Sequence, residues 1–185
     1  MSEVTRLIHA AASDPDAAAE LLPLVYTELR KLAAARFANE KEGHTLQPTA
    51  LVHEAYLRLV GDAKPQDWNG RGHFFAAAAE AMRRILVEAA RRKGRQRHGG
   101  ARKRVELDES AAVAVESNEE LLELDDALSR LESIDATAAA VVKLRYFAGL
   151  SMSEAASALG LPLRSAERNW TFARTWLHRE LSRTS

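Results

Sequence analysis

The sequence predicts an all-α protein: two small helical domains joined by a flexible linker, the second a helix-turn-helix. Three observations carry this reading. Ala, Leu, Glu and Arg dominate and β-branched runs are scarce, which favours helix over strand. Apolar residues recur at three- and four-residue steps through most of the 185 residues. Between two such stretches lies a charged, glycine-bearing segment without strong periodicity, which is how a linker reads. The expected division is 1–98, 99–118 and 119–185.

A short helix is expected over 4–12 and a second over 16–37, with Leu21, Leu24, Val25, Leu29, Leu32 and Ala33 on its buried side. The polar stretch 39–45, with Gly43, breaks it. Pro48 suits the first turn of the next helix, which runs to residue 60 on a stripe of Val52, Ala55, Tyr56 and Leu59 before Gly61 stops it. After a loop over 62–72 that holds Pro65 and Trp68, a long helix over 73–93 packs through Phe75, Ala78, Met82, Ile85, Leu86 and Ala89. The second domain starts near Glu119 around Leu121, Leu124, Leu128 and Leu131, and holds about four helices.

Ser151 stands three residues before Glu154, the spacing of a capping box, so a helix should begin there. Met152, Ala155, Ala156 and Leu159 form its buried face, Gly160 supplies a left-handed terminus, and Pro162 opens the next helix. Helix, glycine turn and second helix at this spacing make a DNA-reading motif. In the second helix Leu163, Ala166, Trp170, Ala173, Leu177 and Leu181 should face the core. That leaves Arg164, Ser165, Arg168, Asn169 and Thr171 on the opposite side, where Arg suits guanine or phosphate and Asn suits adenine. Glu167 shares this face and could accept from a cytosine amino group. The bland alternative is a solvated face of an ordinary helical hairpin.

The formal net charge of zero is a sum of opposed blocks. Residues 83–104 hold ten Arg or Lys against one Glu, and residues 105–135 hold eleven acids against one Arg. The first block suggests a surface for a polyanion and salt-sensitive binding, the second an acidic connector. Local pairing of Arg83 and Arg84 with Glu80, and of Glu88 with Arg91 or Arg92, accounts for part of the basic block. Trp68, His73, Phe74 and Phe75 bring aromatics beside it, which can stack on unpaired bases, although Phe75 fits a core position.

Other functions lack their signatures. There is no cysteine, and His9, His44, His53, His73, His98 and His178 show no metal-ligand spacing, so neither metal nor cofactor is expected. His53-Glu54 lacks the second histidine of a zinc protease, and no phosphate loop or nucleophile elbow occurs, so the chain does not read as an enzyme. No signal-peptide core follows Met1, and no run reaches the roughly 18 apolar residues of a membrane span, so a cytoplasmic protein without a membrane partner is expected.

Two segments carry a family resemblance. Leu51-Val52-His53-Glu54-Ala55-Tyr56-Leu57-Arg58-Leu59 is one; the other runs from Tyr146-Phe147-Ala148-Gly149-Leu150 through the capping box to Leu159-Gly160-Leu161-Pro162. With the closing Trp170-Thr171-Phe172-Ala173-Arg174-Thr175-Trp176-Leu177, they make the chain resemble a bacterial RNA polymerase sigma factor of the extracytoplasmic-function (ECF) type. The resemblance implies that the chain joins core RNA polymerase and directs it to promoter DNA. It implies polymerase contact through Gln47, Thr49, His53, Glu54 and Arg58. Minus-10 engagement falls on Trp68, Arg71, His73, Phe74, Arg83, Arg84, Arg91 and Arg92, and minus-35 readout on Arg164, Ser165, Glu167, Arg168, Asn169 and Thr171. Ordinary members carry an acidic Asp-Ala-Glu-Asp run where this chain has Gln47-Pro48-Thr49-Ala50, which marks a subgroup lacking it. A phosphate on Thr49, or on Thr45 as second candidate, would restore negative charge at a helix N-terminus. That implies a serine/threonine kinase as a partner and leaves room for an anti-sigma factor. Capping is the simpler role for Thr49. A stand-alone helix-turn-helix regulator that never joins polymerase is the rival reading.

Overall fold

The computed structural model describes residues 15–37, 48–60, 70–94 and 118–184. Among them are seven helices and no strand: α1 (Pro15–Phe37), α2 (Pro48–Val60), α3 (Arg71–Gly94), α4 (Asn118–Ile134), α5 (Ala136–Tyr146), α6 (Met152–Ala158) and α7 (Leu163–Thr184). The all-α expectation therefore holds. The helix expected over 4–12, the 62–69 part of the loop and the linker up to residue 117 lie outside the described residues. No helix among the described residues is long and apolar enough to cross a membrane.

Local signals explain several boundaries. Gly70, at φ 96°, precedes α3, and its carbonyl accepts from the Phe74 amide at 3.2 Å, so the helix starts two residues earlier than the periodicity suggested. Asp135 caps α5, its Oδ1 accepting from the Ala138 amide at 2.8 Å, which lets α4 end and α5 begin with one residue between them. Gly149, at φ 67°, closes the far end of α5 while Leu150 donates its amide to Leu144 O at 3.1 Å.

Two apolar clusters form the interior. The first joins Val25, Leu29 and Leu32 of α1 and Leu51, Val52, Ala55 and Leu59 of α2 to Phe74, Ala78, Met82 and Ile85 of α3. It also takes in Leu144, Ala148, Leu150 and Ala155 from the second half of the chain. The second cluster packs Leu124, Leu128 and Leu131 of α4 against Val141 and Val142 of α5 and Trp170, Ala173 and Leu177 of α7, with Ala90 of α3 included. Helix α3 thus contributes to both, and it packs on α4, α5 and α6 as well as α2. Each fully buried Leu, Ile or Phe contributes about 1.5–3 kcal/mol, so these clusters dominate the folding free energy.

Most expected core residues are buried, but Leu163 is 47% exposed. As the first residue of α7 it emerges from the turn facing solvent, and Leu161, just before Pro162, packs against the second cluster in its place.

The approach of α3 to α6 depends on Gly72. A Cβ there would sit 2.1 Å from the carbonyl oxygen of Ala158. Gly→Ala within an open helix stabilises by about 1 kcal/mol, but at this contact the backbone must shift. Gly72→Ala is expected to destabilise by about 1–3 kcal/mol in urea denaturation, whereas Gly94→Ala, with nothing within 4 Å of its Cβ, should be neutral or slightly stabilising.

Candidate nucleic-acid interface

The turn between α6 and α7 is built as its sequence requires. Ser151 Oγ accepts from the Glu154 amide at 3.2 Å, and Glu154 Oε2 accepts from the Ser151 amide at 2.8 Å, completing the capping box. At the other end Gly160 adopts φ 64° and Leu161 donates to Ala156 O at 2.9 Å. Pro162 then offers its carbonyl to the amides of Ser165 and Ala166 at 2.9 and 3.1 Å, launching α7.

Helix α7 is held by one face. Trp170, Ala173, Leu177 and Leu181 are buried in the second cluster, and Ala166 one turn earlier is buried as well. Arg145 of α5 lies over the Trp170 ring, 4.7 Å from its centroid, a cation–π contact that fixes the rotation of the helix. Arg145 is itself buried, its Nε has no hydrogen-bond partner among the described residues, and burial lowers its pKa. The ring therefore stands in for an acid. Neither the sequence pattern nor its charge count singled out this cation.

The outward face of α7 brings most of the expected readout residues together. Arg164, Glu167, Arg168 and Thr171 are exposed, while Ser165 and Asn169 are half-buried at its margins. Arg164, Glu167, Arg168 and Thr171 line one open groove, joined there by Phe172 and Thr175. Phe172 was missed, although it falls off the 166, 170, 173, 177 stripe and so had to point elsewhere.

The basic helix gives a mixed result. His73, Arg84, Arg91 and Arg92 are exposed along α3. Phe74 is not: at 1% exposure it is a core residue, tilted on Phe75 with ring centroids 5.6 Å apart. It follows Gly70 by one helical turn and faces inward with Ala78 and Met82, so the expected role in base stacking is withdrawn. Arg83 is partly buried and hydrogen-bonds both Glu80, at 3.0 and 3.1 Å, and Asp125 of α4. Arg84 Nε also donates to Glu80, at 2.9 Å, as the spacing implied. Trp68 lies outside the described residues, and for Arg71 only the helical placement is described.

On α2, Thr49 and His53 are exposed and Glu54 half-buried. Arg58 is tied to Glu88 of α3 through two hydrogen bonds of 2.6 and 3.2 Å. Spacing alone pairs Glu88 with Arg91 or Arg92 instead, because it reveals only partners on the same helix. Gln47 and Thr45 lie outside the described residues.

The sequence profile described as ECF sigma factor matches residues 1–183. The chain belongs to the ECF sigma factor family. It is therefore a sigma factor that directs RNA polymerase to promoters and binds both core polymerase and promoter DNA. No curated protein and no solved structure matches it.

Charges in this sigma factor converge where its two halves meet. Glu80 of α3 receives Arg83 and Arg84, and Lys143 of α5 stands 3.5 Å from it while also bonding Glu132 of α4 at 2.8 Å. Burial pushes the Glu80 carboxyl up, but the hydrogen bonds from Arg83 and Arg84 and the charges of Arg83 and Lys143 prevail and lower it to about 2. A carboxyl depressed on folding stabilises fully above its ordinary value of 4.5, and that stabilisation is lost as pH falls from there towards about 2. Unfolding free energy should accordingly decline between about pH 5 and 2, and Glu80→Gln should flatten part of that slope in urea titrations across the range.

Proposed function

We propose that residues 1–98 of this sigma factor hold core polymerase and engage the minus-10 element, while residues 119–185 read the minus-35 element in the cytoplasm. One observation carries the second assignment. The exposed row Arg164, Glu167, Arg168 and Thr171 lies on a helix whose other face is fixed in the core behind a capped turn. A helix entering a major groove needs this arrangement, since its N-terminal side chains must meet base edges in one rotational setting. Minus-10 engagement is supported by the exposed His73, Arg84, Arg91 and Arg92 on α3. Asn169 and Ser165, being half-buried, fit supporting positions beside Arg168, whose guanidinium lies 3.4 Å from Ser165 Oγ.

A second reading concerns control. The first turn of α2 holds no acidic residue and Thr49 is exposed there. A phosphate on Thr49 would add roughly −1.5 to −2 charges at a helix N-terminus, where anions are favoured. A serine/threonine kinase would then act as the switch for polymerase binding.

Run-off transcription with core polymerase tests the assignment: the wild-type chain should start transcripts on its promoter, and Arg168→Ala should lower the yield at least about fivefold, the lower end for one base contact. A duplex shift obtained equally well without core polymerase would favour the stand-alone regulator. For the switch, Thr49→Glu should bind core polymerase more tightly than wild type in a pull-down titration, and equal affinity would remove the idea.

A further inference from the structure

The outward face of α7 is not uniformly polar. Phe172 is 43% exposed and shares the groove with Arg164 and Arg168. Thr171 and Thr175 flank it, and both hydroxyls are committed to the helix: Thr171 Oγ1 donates to Glu167 O at 3.0 Å and Thr175 Oγ1 to Thr171 O at 2.9 Å. What these threonines add to the groove is their methyl groups. Thr171 Oγ1, its one proton engaged, can only accept from a partner.

An apolar strip at positions 171, 172 and 175 thus continues a row that begins with two arginines, at 164 and 168. The cations suit a phosphate-bearing partner. In the major groove of a duplex the one apolar group on a base edge is the thymine methyl, which proteins read by apolar contact. An exposed ring next to cations fits that partner and does not fit a wholly apolar protein surface, which would leave the arginines desolvated.

Given α7 as the minus-35 reader, a reading on which this inference rests, we propose that Phe172, flanked by Thr171 and Thr175, reads a thymine methyl in the minus-35 duplex. The arginines fix the helix on the backbone or on guanine, and Phe172 sets a preference for thymine at the position it meets.

Uracil lacks only that methyl, which makes the test specific. A promoter library randomised over the minus-35 window would be selected with wild-type holoenzyme, and each thymine of the winning duplex replaced in turn by uracil. At one position the replacement should weaken holoenzyme binding about fourfold, the effect of one methyl-sized group at about 0.8 kcal/mol. Phe172→Ala holoenzyme should bind the thymine duplex more weakly and lose nothing further on uracil, while Phe172→Leu should keep part of the sensitivity. Because Phe172 is exposed, both variants should melt at the wild-type temperature, and the wild-type arm needs no variant at all. Indifference of the wild type to every uracil, or the same loss in Phe172→Ala as in wild type, overturns the proposal. Selection that yields no sequence preference over the window overturns the minus-35 reading itself, and this inference with it.

Discussion

Helix α3 must be buried on two sides at once, and the arrangement of every other helix follows from that. Its Phe74, Ala78, Met82 and Ile85 complete the core that α1 and α2 begin, and Ala90 reaches the core of α4, α5 and α7. A helix wrapped this way needs small residues where backbones approach, and the chain supplies Ala78, Ala79, Ala81, Ala89 and Ala90 along it, with Gly72 against the Ala158 carbonyl. Only narrow strips of α3 remain for solvent, and its arginines occupy them. Packing thus decides which cations face outward.

The same burial forces the electrostatics. Arg83 and Lys143 are each held largely out of water, and a cation so placed is costly unless an acid meets it. Glu80 serves both, Asp125 completes the partnership of Arg83, and Glu132 that of Lys143. Part of the acidic block that sets the net charge to zero is therefore not a solvated counterweight. Its Asp125 neutralises the Arg83 guanidinium across the meeting of the two halves, and its Glu132 the Lys143 ammonium within the second. Arg145 departs from this pattern by resting on the Trp170 ring, where the partner is a quadrupole and not a charge.

Local chemistry was legible in the sequence to within a residue or two. Ser151 with Glu154, Gly160 and Pro162 specify their turn because capping involves groups three to five residues apart, and the structure realises each of them. The stripes of α2 and α3 were readable for the same reason, since periodicity reports a buried face. It does not report what covers that face. Asp125 sits 42 residues from Arg83 and Glu88 sits 30 from Arg58, and nothing in spacing or composition couples such pairs. Phe74 misled because an aromatic beside a basic run has two uses, and only the neighbouring helices decide between them.

The two opposed faces of α7 constrain how this surface can change over time. One residue advances an α-helix by about 100°, and α7 shows the core on one side and the groove on the other. A single insertion within α7 between Arg168 and Trp170 would turn Arg164 and Arg168 by that angle relative to the stripe that holds Trp170 against Arg145. The buried stripe therefore acts as a phase lock: the groove is open to side-chain replacement at its exposed positions, while insertions within the helix that carries it are closed to it.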